Sequence, residues 1–251
     1  MHLFEPNMFH DKTVVITGAG RGIGRAVAQL FKQHGAKLIA HSGRVGTAGR
    51  LEGIADQVIE ADFSGPGGAA DFTAAVLKQC DRIDVLINNA GTMHGRFPAD
   101  QLTDEAYQAL VALNQTSVVA ITRELIPELR RADAAAIINT VSISAKTGGS
   151  PGSSIYSATK AFVSTYTRSL ARELAPDGIR VNAVSPGTID TDFHQRYSSP
   201  EKLETTRQQI PLGRLGTPED CAPAFLFFAS ASLSGYITGQ TLEINGGHLM
   251  V

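Results

Sequence analysis

The sequence has almost no cysteine, no block of like charge and no long apolar run, and each shortage closes off a class of function. The two cysteines among 251 residues, Cys80 and Cys221, form neither a C-x-x-C pair nor a zinc-ligand spacing. A disulfide framework is therefore not expected, no metal is implied, and both thiols read as small buried apolar groups. Lys plus Arg number 22 against 24 Asp plus Glu, for a formal net charge of −2. Because the two signs are interspersed, neither a nucleic acid nor a membrane surface is an expected partner. The apolar run Phe225 to Ala231 follows Pro223 and falls well short of the ~18 residues a membrane span needs. The opening MHLFEPNMFHDK has no basic flank leading into an apolar stretch, so a secretory signal is not expected and a cytoplasmic location is.

What is present is alternation. Val14-Val15-Ile16 is a short apolar run ending at glycine, after which Ile23, Ala26, Val27, Leu30 and Phe31 recur at helical spacing up to Gly35. Leu38 to Ala40, Val58-Ile59, Ile83 to Ile87, Ala136 to Val141, Ile179 to Val184 and Thr241 to Ile244 read as further strands. Between them, Asp104 to Arg131 reads as one long amphipathic helix and Tyr156 to Leu174 as another. Short β-branched strands alternating with helices predict an α/β, single-domain, doubly wound parallel sheet of Rossmann type with helices on both faces. Residues 12–251 form that domain, 1–11 an N-terminal extension, and the polar stretch at about 192–212 a substrate-loop insertion.

The chemistry concentrates in "VVITGAGRGIGRAVA", Val14 to Ala28, where Gly18, Gly20, Gly22 and Gly24 alternate. The pattern G-x-G-x-x-G fits no register, since its last position falls on Ile23 or Arg25. The context still matters: a strand, a glycine turn and a helix bring backbone N–H groups to a phosphate without a Cβ in the way.

Here the spacing is T-G-x-x-x-G-x-G (Thr17, Gly18, Gly22, Gly24). It is followed in order by NNAG at Asn88 to Gly91, Asn114, Ser142, Y-x-x-x-K at Tyr156 and Lys160, SPG at Ser185 to Gly187, and Thr191. From about Lys12 to Gly247 the chain resembles the short-chain dehydrogenase/reductase family, and in overall look its 3-oxoacyl-[acyl-carrier-protein] reductase-like members. The resemblance implies a homotetramer that moves a hydride between a nicotinamide dinucleotide and a small carbonyl/secondary alcohol pair. It implies that Tyr156 is the general acid/base, that Lys160 lowers its pKa and bonds the nicotinamide ribose, and that Asn114 holds a relay water. Ser142 would meet the substrate oxygen on which charge develops. Ser144 competes with it, since Tyr156 lies 14 residues after Ser142 and 12 after Ser144 where the family usually has thirteen. Ser142, Ser144 and Tyr156 are the expected substrate contacts.

The same resemblance implies the cofactor contacts. In the glycine turn they are Gly18, Arg21, Gly22, Ile23 and Gly24. Beyond the third strand they are Asp62 and Phe63; around NNAG, Asn88 as a supporting residue with Asn89, Ala90 and Gly91. Tyr156 and Lys160 follow, then Pro186, Gly187, Ile189 and Thr191. Independently, an i, i+4 pair places Tyr156 and Lys160 on one helix face with Cβ atoms ~5–6 Å apart. At that range and an effective dielectric of ~20, a lysine cation would stabilise a tyrosinate by roughly 2.8 kcal/mol and bring a phenol from ~10 towards ~8. For the nucleotide's identity, "HSGRVGTAGRL" from His41 to Leu51 contains no Asp or Glu. Ser42 stands where NAD-preferring members have Asp, and Arg21 and Arg44 suit a 2′-phosphate. NADP is the expected cofactor, NAD the alternative. An NAD-dependent alcohol or sugar dehydrogenase and a non-catalytic dinucleotide-binding protein are the rival readings. His94 and His194 read as surface or pocket-lining residues.

Overall fold

The computed structural model describes residues 5–251. Seven strands form one sheet in the order β3-β2-β1-β4-β5-β6-β7, and every pairing is parallel. They are β1 (Thr13–Ile16), β2 (Lys37–Gly43), β3 (Gln57–Glu60), β4 (Val85–Asn88), β5 (Ala136–Thr140), β6 (Arg180–Pro186) and β7 (Thr241–Ile244). The central strands are apolar throughout because both faces are covered. In β1, Val14 and Ile16 turn to one face and Val15 to the other; in β4, Val85 and Ile87 part from Leu86 in the same way. One face packs on α1 (Gly22–Gln33) and α9 (Pro218–Ala229), through Phe31 and Phe225. The other packs on α2 (Gly68–Leu77), α4 (Ser117–Leu129) and α6 (Ser154–Leu174), through Phe72, Leu125 and Leu170.

Several elements differ from the sequence expectation. The helix expected from Asp104 to Arg131 is α3 (Asp104–Val111), one turn of π-helix over Ala112–Thr116, and α4. Asn114 sits in the widened turn, fully buried, and its Nδ2 donates to the carbonyls of Leu110 and Thr92. Val118 and Ile121 of α4 are core residues at 5% and 1% exposure. Their neighbour Val119 keeps a partly open surface. Cys221 is buried as expected, whereas Cys80 is only half-buried. The segment 192–212 is not irregular: it holds α7 (Asp192–Tyr197) and α8 (Pro200–Gln209), after the short α5 (Ser144–Thr147) and before α9 and α10 (Ala231–Ser234). Within the segment read as an extension, Phe9 is buried, its ring 4.8 Å from that of Phe31.

Chain connections leave β1 towards β2 and β3 and then cross back to β4, so strand order reverses between β1 and β4. At such a point the loops beyond the carboxyl ends of the strands part, and a ligand crevice opens. A cleft of about 990 Å³ lies there.

Candidate active site

The cleft begins at the glycine turn. Gly18 has φ +66°, and a Cβ on it would lie 2.7 Å from the Cα of Ala90; a Cβ on Gly24 would strike the carbonyl oxygen of Gly18. Both positions need glycine. Thr17 Oγ1 accepts from the backbone N–H groups of Asn89 and Ala90 at 2.9 and 3.0 Å, and Asn89 Nδ2 donates to the carbonyls of Thr17 and Gly18. Turn and NNAG loop are thereby one unit. Asn88, expected to support the cofactor, instead points into the core: its Nδ2 donates to Thr122 Oγ1 and Asn139 Oδ1. The reason is the strand's alternation, which sends neighbouring side chains to opposite sides.

His41 completes the turn, and nothing in its sequence neighbourhood announces it. It is 3% exposed at the end of β2. Its Nδ1 accepts from the Gly18 N–H at 3.0 Å, its Nε2 lies 2.7 Å from the Ala61 carbonyl, and its ring stacks on Phe63 at 4.0 Å. That pattern needs the neutral Nε2–H tautomer. Burial depresses the pKa, which keeps the ring in that state.

The residue preceding α1, Arg21, makes no side-chain cap, and no acidic residue stands in the first turn. The first amides of α1 are thus left for an anion, with Gly22, Ile23 and Gly24 in the cleft wall. Further along lie Ser42, Arg44, Arg50, Asp62 and Phe63. Arg44 Nε is 3.3 Å from Asp62 Oδ2, and Arg21 Nη1 is 3.6 Å from Asp192 Oδ2. Ser42 Oγ bonds Thr47 Oγ1 at 3.0 Å, while Glu60 turns beneath the loop to accept the N–H groups of Thr47 and Ala48. Ala90, Gly91, Pro186, Ile189 and Thr191 also reach the wall. Gly187 does not, because it packs against Asn245, which would lie 2.7 Å from an added Cβ. The spaces left by glycine, the uncapped helix amides and the extended cleft fit a dinucleotide.

At the inner end, Tyr156, Lys160, Ser142 and Ser144 come together in one wall. Lys160 is 3% exposed; its Nζ donates to the Thr140 carbonyl at 2.8 Å and lies 5.9 Å from the Tyr156 ring centre. Burial pushes the Tyr156 phenol up to about 12, against a smaller pull from the Ser142 hydroxyl, and burial lowers Lys160 to about 8. The expectation of a phenol drawn towards 8 is thus reversed in sign. Desolvation dominates both shifts, and the phenol is held protonated at neutral pH. Ser142 Oγ accepts from both the N–H and the hydroxyl of Ser144, at 3.2 and 2.9 Å. Its own proton is left to donate into the cleft. Asn114 holds the loop after NNAG, its Oδ1 accepting from the Thr92 N–H.

The helix α7 lies over this end. Phe193 meets the Tyr156 ring at 5.7 Å, Tyr197 OH bonds Thr92 Oγ1 at 3.1 Å, and Arg96 Nε donates to the Tyr197 carbonyl at 2.7 Å. Sequence reasoning missed Thr92, Arg96, Phe193 and Tyr197, because no motif marks them. His94 and His194 line the cleft as expected. Burial, with the charges of Arg96 and Lys202, lowers His194 to about 4.

Among the described residues, no helix is long and apolar enough to cross a membrane. Comparison with known proteins bears on the whole arrangement. A family described as enoyl-(acyl carrier protein) reductase matches residues 18–248. The 3-oxoacyl-[acyl-carrier-protein] reductase of Chlamydia pneumoniae is 37% identical over 242 residues, covering 94% of this chain and 96% of that protein. The 3-ketoacyl-(acyl-carrier-protein) reductase of Brucella melitensis, solved with NADH, superposes with a TM-score of 0.87 at 32% identity, over 96% of this chain and 100% of that one. A putative NAD(P)-dependent gluconate 5-dehydrogenase from Beutenbergia cavernae, with NADP bound at low occupancy, gives 0.88 at 31% identity, over 97% and 99%. With the motif order, the sheet topology and this likeness over nearly its full length, the chain belongs to the short-chain dehydrogenase/reductase family of NAD(P)-dependent oxidoreductases, as a 3-oxoacyl-[acyl-carrier-protein] reductase-like member.

Proposed function

We propose that this protein reduces a carbonyl to a secondary alcohol with NADP(H), Tyr156 supplying the proton. The observation that carries the reading is the convergence of a half-buried, protonated phenol, the Ser142 hydroxyl and the Lys160 ammonium at the inner end of a dinucleotide-shaped cleft. When bound, the cofactor supplies the hydride. Ser142, freed as a donor by Ser144, holds the substrate oxygen; Tyr156 gives it a proton; Lys160 holds positive charge beside the phenol as that proton leaves. Asn114 keeps the Thr92 backbone in place and serves as the relay's water-holding residue.

NADP is proposed over NAD because Arg21, Arg44 and Arg50 line the adenosine end and the Ser42 position carries no carboxylate. A specific feature favours the rival: Asp62 already pairs with Arg44 and could take ribose hydroxyls. Titration of both reduced cofactors by fluorescence separates them. NADPH should bind ~10- to 100-fold more tightly, the difference shrinking with salt, and Ser42→Asp should erase it. Equal constants in the unaltered protein would reject the preference for NADP, and tighter NADH would assign NAD.

A further inference from the structure

The substrate half of the cleft has a charge asymmetry that a proton donor and a hydroxyl do not require. Beyond Tyr156 its wall includes Arg96, His194, Arg196 and Lys202. The carboxylates of the whole cleft wall are Asp62 and Asp192, and both belong to the cofactor half, paired with Arg44 and Arg21. On α8, Glu204 is committed to Arg207, outside the cleft wall.

Arg96 is set in place rather than trailing in solvent. Its Nε donates to the Tyr197 carbonyl at 2.7 Å and its Nη1 to the Pro151 carbonyl at 3.1 Å. Two neutral carbonyls fix the guanidinium's plane, no carboxylate pairs with it, and three of its five N–H donors stay open. Lys202 is half-buried on α8, and among the described residues its ammonium has no acceptor. Burial first, and then the charge of Arg96, lowers the pKa of Lys202; at His194 burial is again the main cause, with Arg96 and Lys202 adding to it. Asp190 acts on His194 in the opposite sense but forms an ion pair with neither cation. Two cations facing one cavity with no paired carboxylate among the described residues cost stability, and a bound anion would offset it. The subsite is joined to the chemistry through two ring contacts, Tyr156 to Phe193 at 5.7 Å and Phe193 to Tyr197 at 5.1 Å, with Arg96 on the Tyr197 carbonyl.

We infer that the substrate carries an anionic oxygen group, a carboxylate or a phosphoryl, several bonds from the reacting carbonyl, and that Arg96 and Lys202 bind it. This rests on the reductase reading and names its substrate class. The fork of Arg96 suits either group, because both offer paired oxygens to parallel N–H donors.

The test is calorimetric titration of the protein, saturated with the oxidised form of its preferred cofactor so that no reaction occurs. The ligands are 5-oxohexanoate, its methyl ester, 5-oxohexyl phosphate and 5-oxohexanol. At least one anion should bind 10-fold or more tightly than its neutral partner, and the gap should narrow as salt rises. The tighter of the two anions assigns the group as carboxylate or phosphoryl. In Lys202→Gln, whose ammonium makes no bond to lose, the anion-to-neutral ratio should fall several-fold, and in Arg96→Gln likewise. Equal affinities of each anion and its neutral partner, or an unchanged ratio in both variants, would overturn the inference. Turnover of the same four ketones is read separately. Reduction of the neutral ketones without anion preference sinks only the subsite, whereas binding selectivity without turnover of any ketone sinks the reductase reading and leaves the subsite standing.

Discussion

Lys160 folds at a cost. It is 3% exposed, and burial takes its ammonium from 10.5 to about 8, a difference of roughly 3 kcal/mol between folded and unfolded states. Because the folded pKa is the lower one, the unfolded chain binds the proton more strongly between pH 8 and 10.5, and stability rises with pH across that window. Below pH 8 the penalty is complete. Lys160→Met removes it together with the bond to the Thr140 carbonyl, worth about 1 kcal/mol. The variant should therefore be more stable by ~2 kcal/mol at pH 7, and the gain should vanish above about pH 10.5. Urea unfolding at the two pH values checks this, and a less stable variant at pH 7 would refute it. At this scale the sequence was most legible where a motif fixes a residue type, as for Tyr156, Lys160 and Gly18. His41 was not legible, because its partners are the Gly18 amide and the Ala61 carbonyl, brought together only by strand pairing. Nor was the opposite orientation of Asn88 and Asn89, which depends on where β4 ends.

At the scale of elements, α7 stands over the Tyr156 end of the cleft. It is held over the inner cleft by one side-chain bond, Tyr197 to Thr92, by the Arg96 bond to the Tyr197 carbonyl, and by the Asp192 contact with Arg21 at its first turn. With so few ties, we propose that α7 opens and closes over the substrate. Tyr197→Phe removes the first bond alone, a loss of about 1 kcal/mol. Steady-state kinetics should show KM raised ~3- to 10-fold with kcat little changed; a large fall in kcat at constant KM would place Tyr197 in the chemistry. The sequence read this segment only as polar, since helices of six and ten residues over a cleft lack the apolar periodicity that marks a core helix. The strands were legible because burial on both faces makes them uniformly apolar. The break inside Asp104–Arg131 was not, because it is produced by Asn114 bonding across to Thr92.

For the molecule as a whole, we propose a homotetramer. The support is exposed apolar surface: Phe162 on α6 is 37% exposed and stacks on Tyr166, and Tyr236, Leu242 and Met250 leave apolar surface open near the last strand. Apolar area of this kind in two separate regions suits two kinds of subunit contact. Light scattering at micromolar concentration should give four times the 26.6 kDa chain mass, and a monomeric mass would reject it. Doubly wound topology and cofactor cleft were legible as a pattern of alternation, whereas the substrate's nature was not, since the residues facing it come from segments far apart in the chain. The central claim is the proton that Tyr156 gives, and the rate of NADPH oxidation by Tyr156→Phe with a ketone the unaltered protein reduces tests it most directly. The account predicts a loss of 100-fold or more with cofactor affinity and unfolding midpoint nearly unchanged; retention of more than about a tenth of the rate would contradict it.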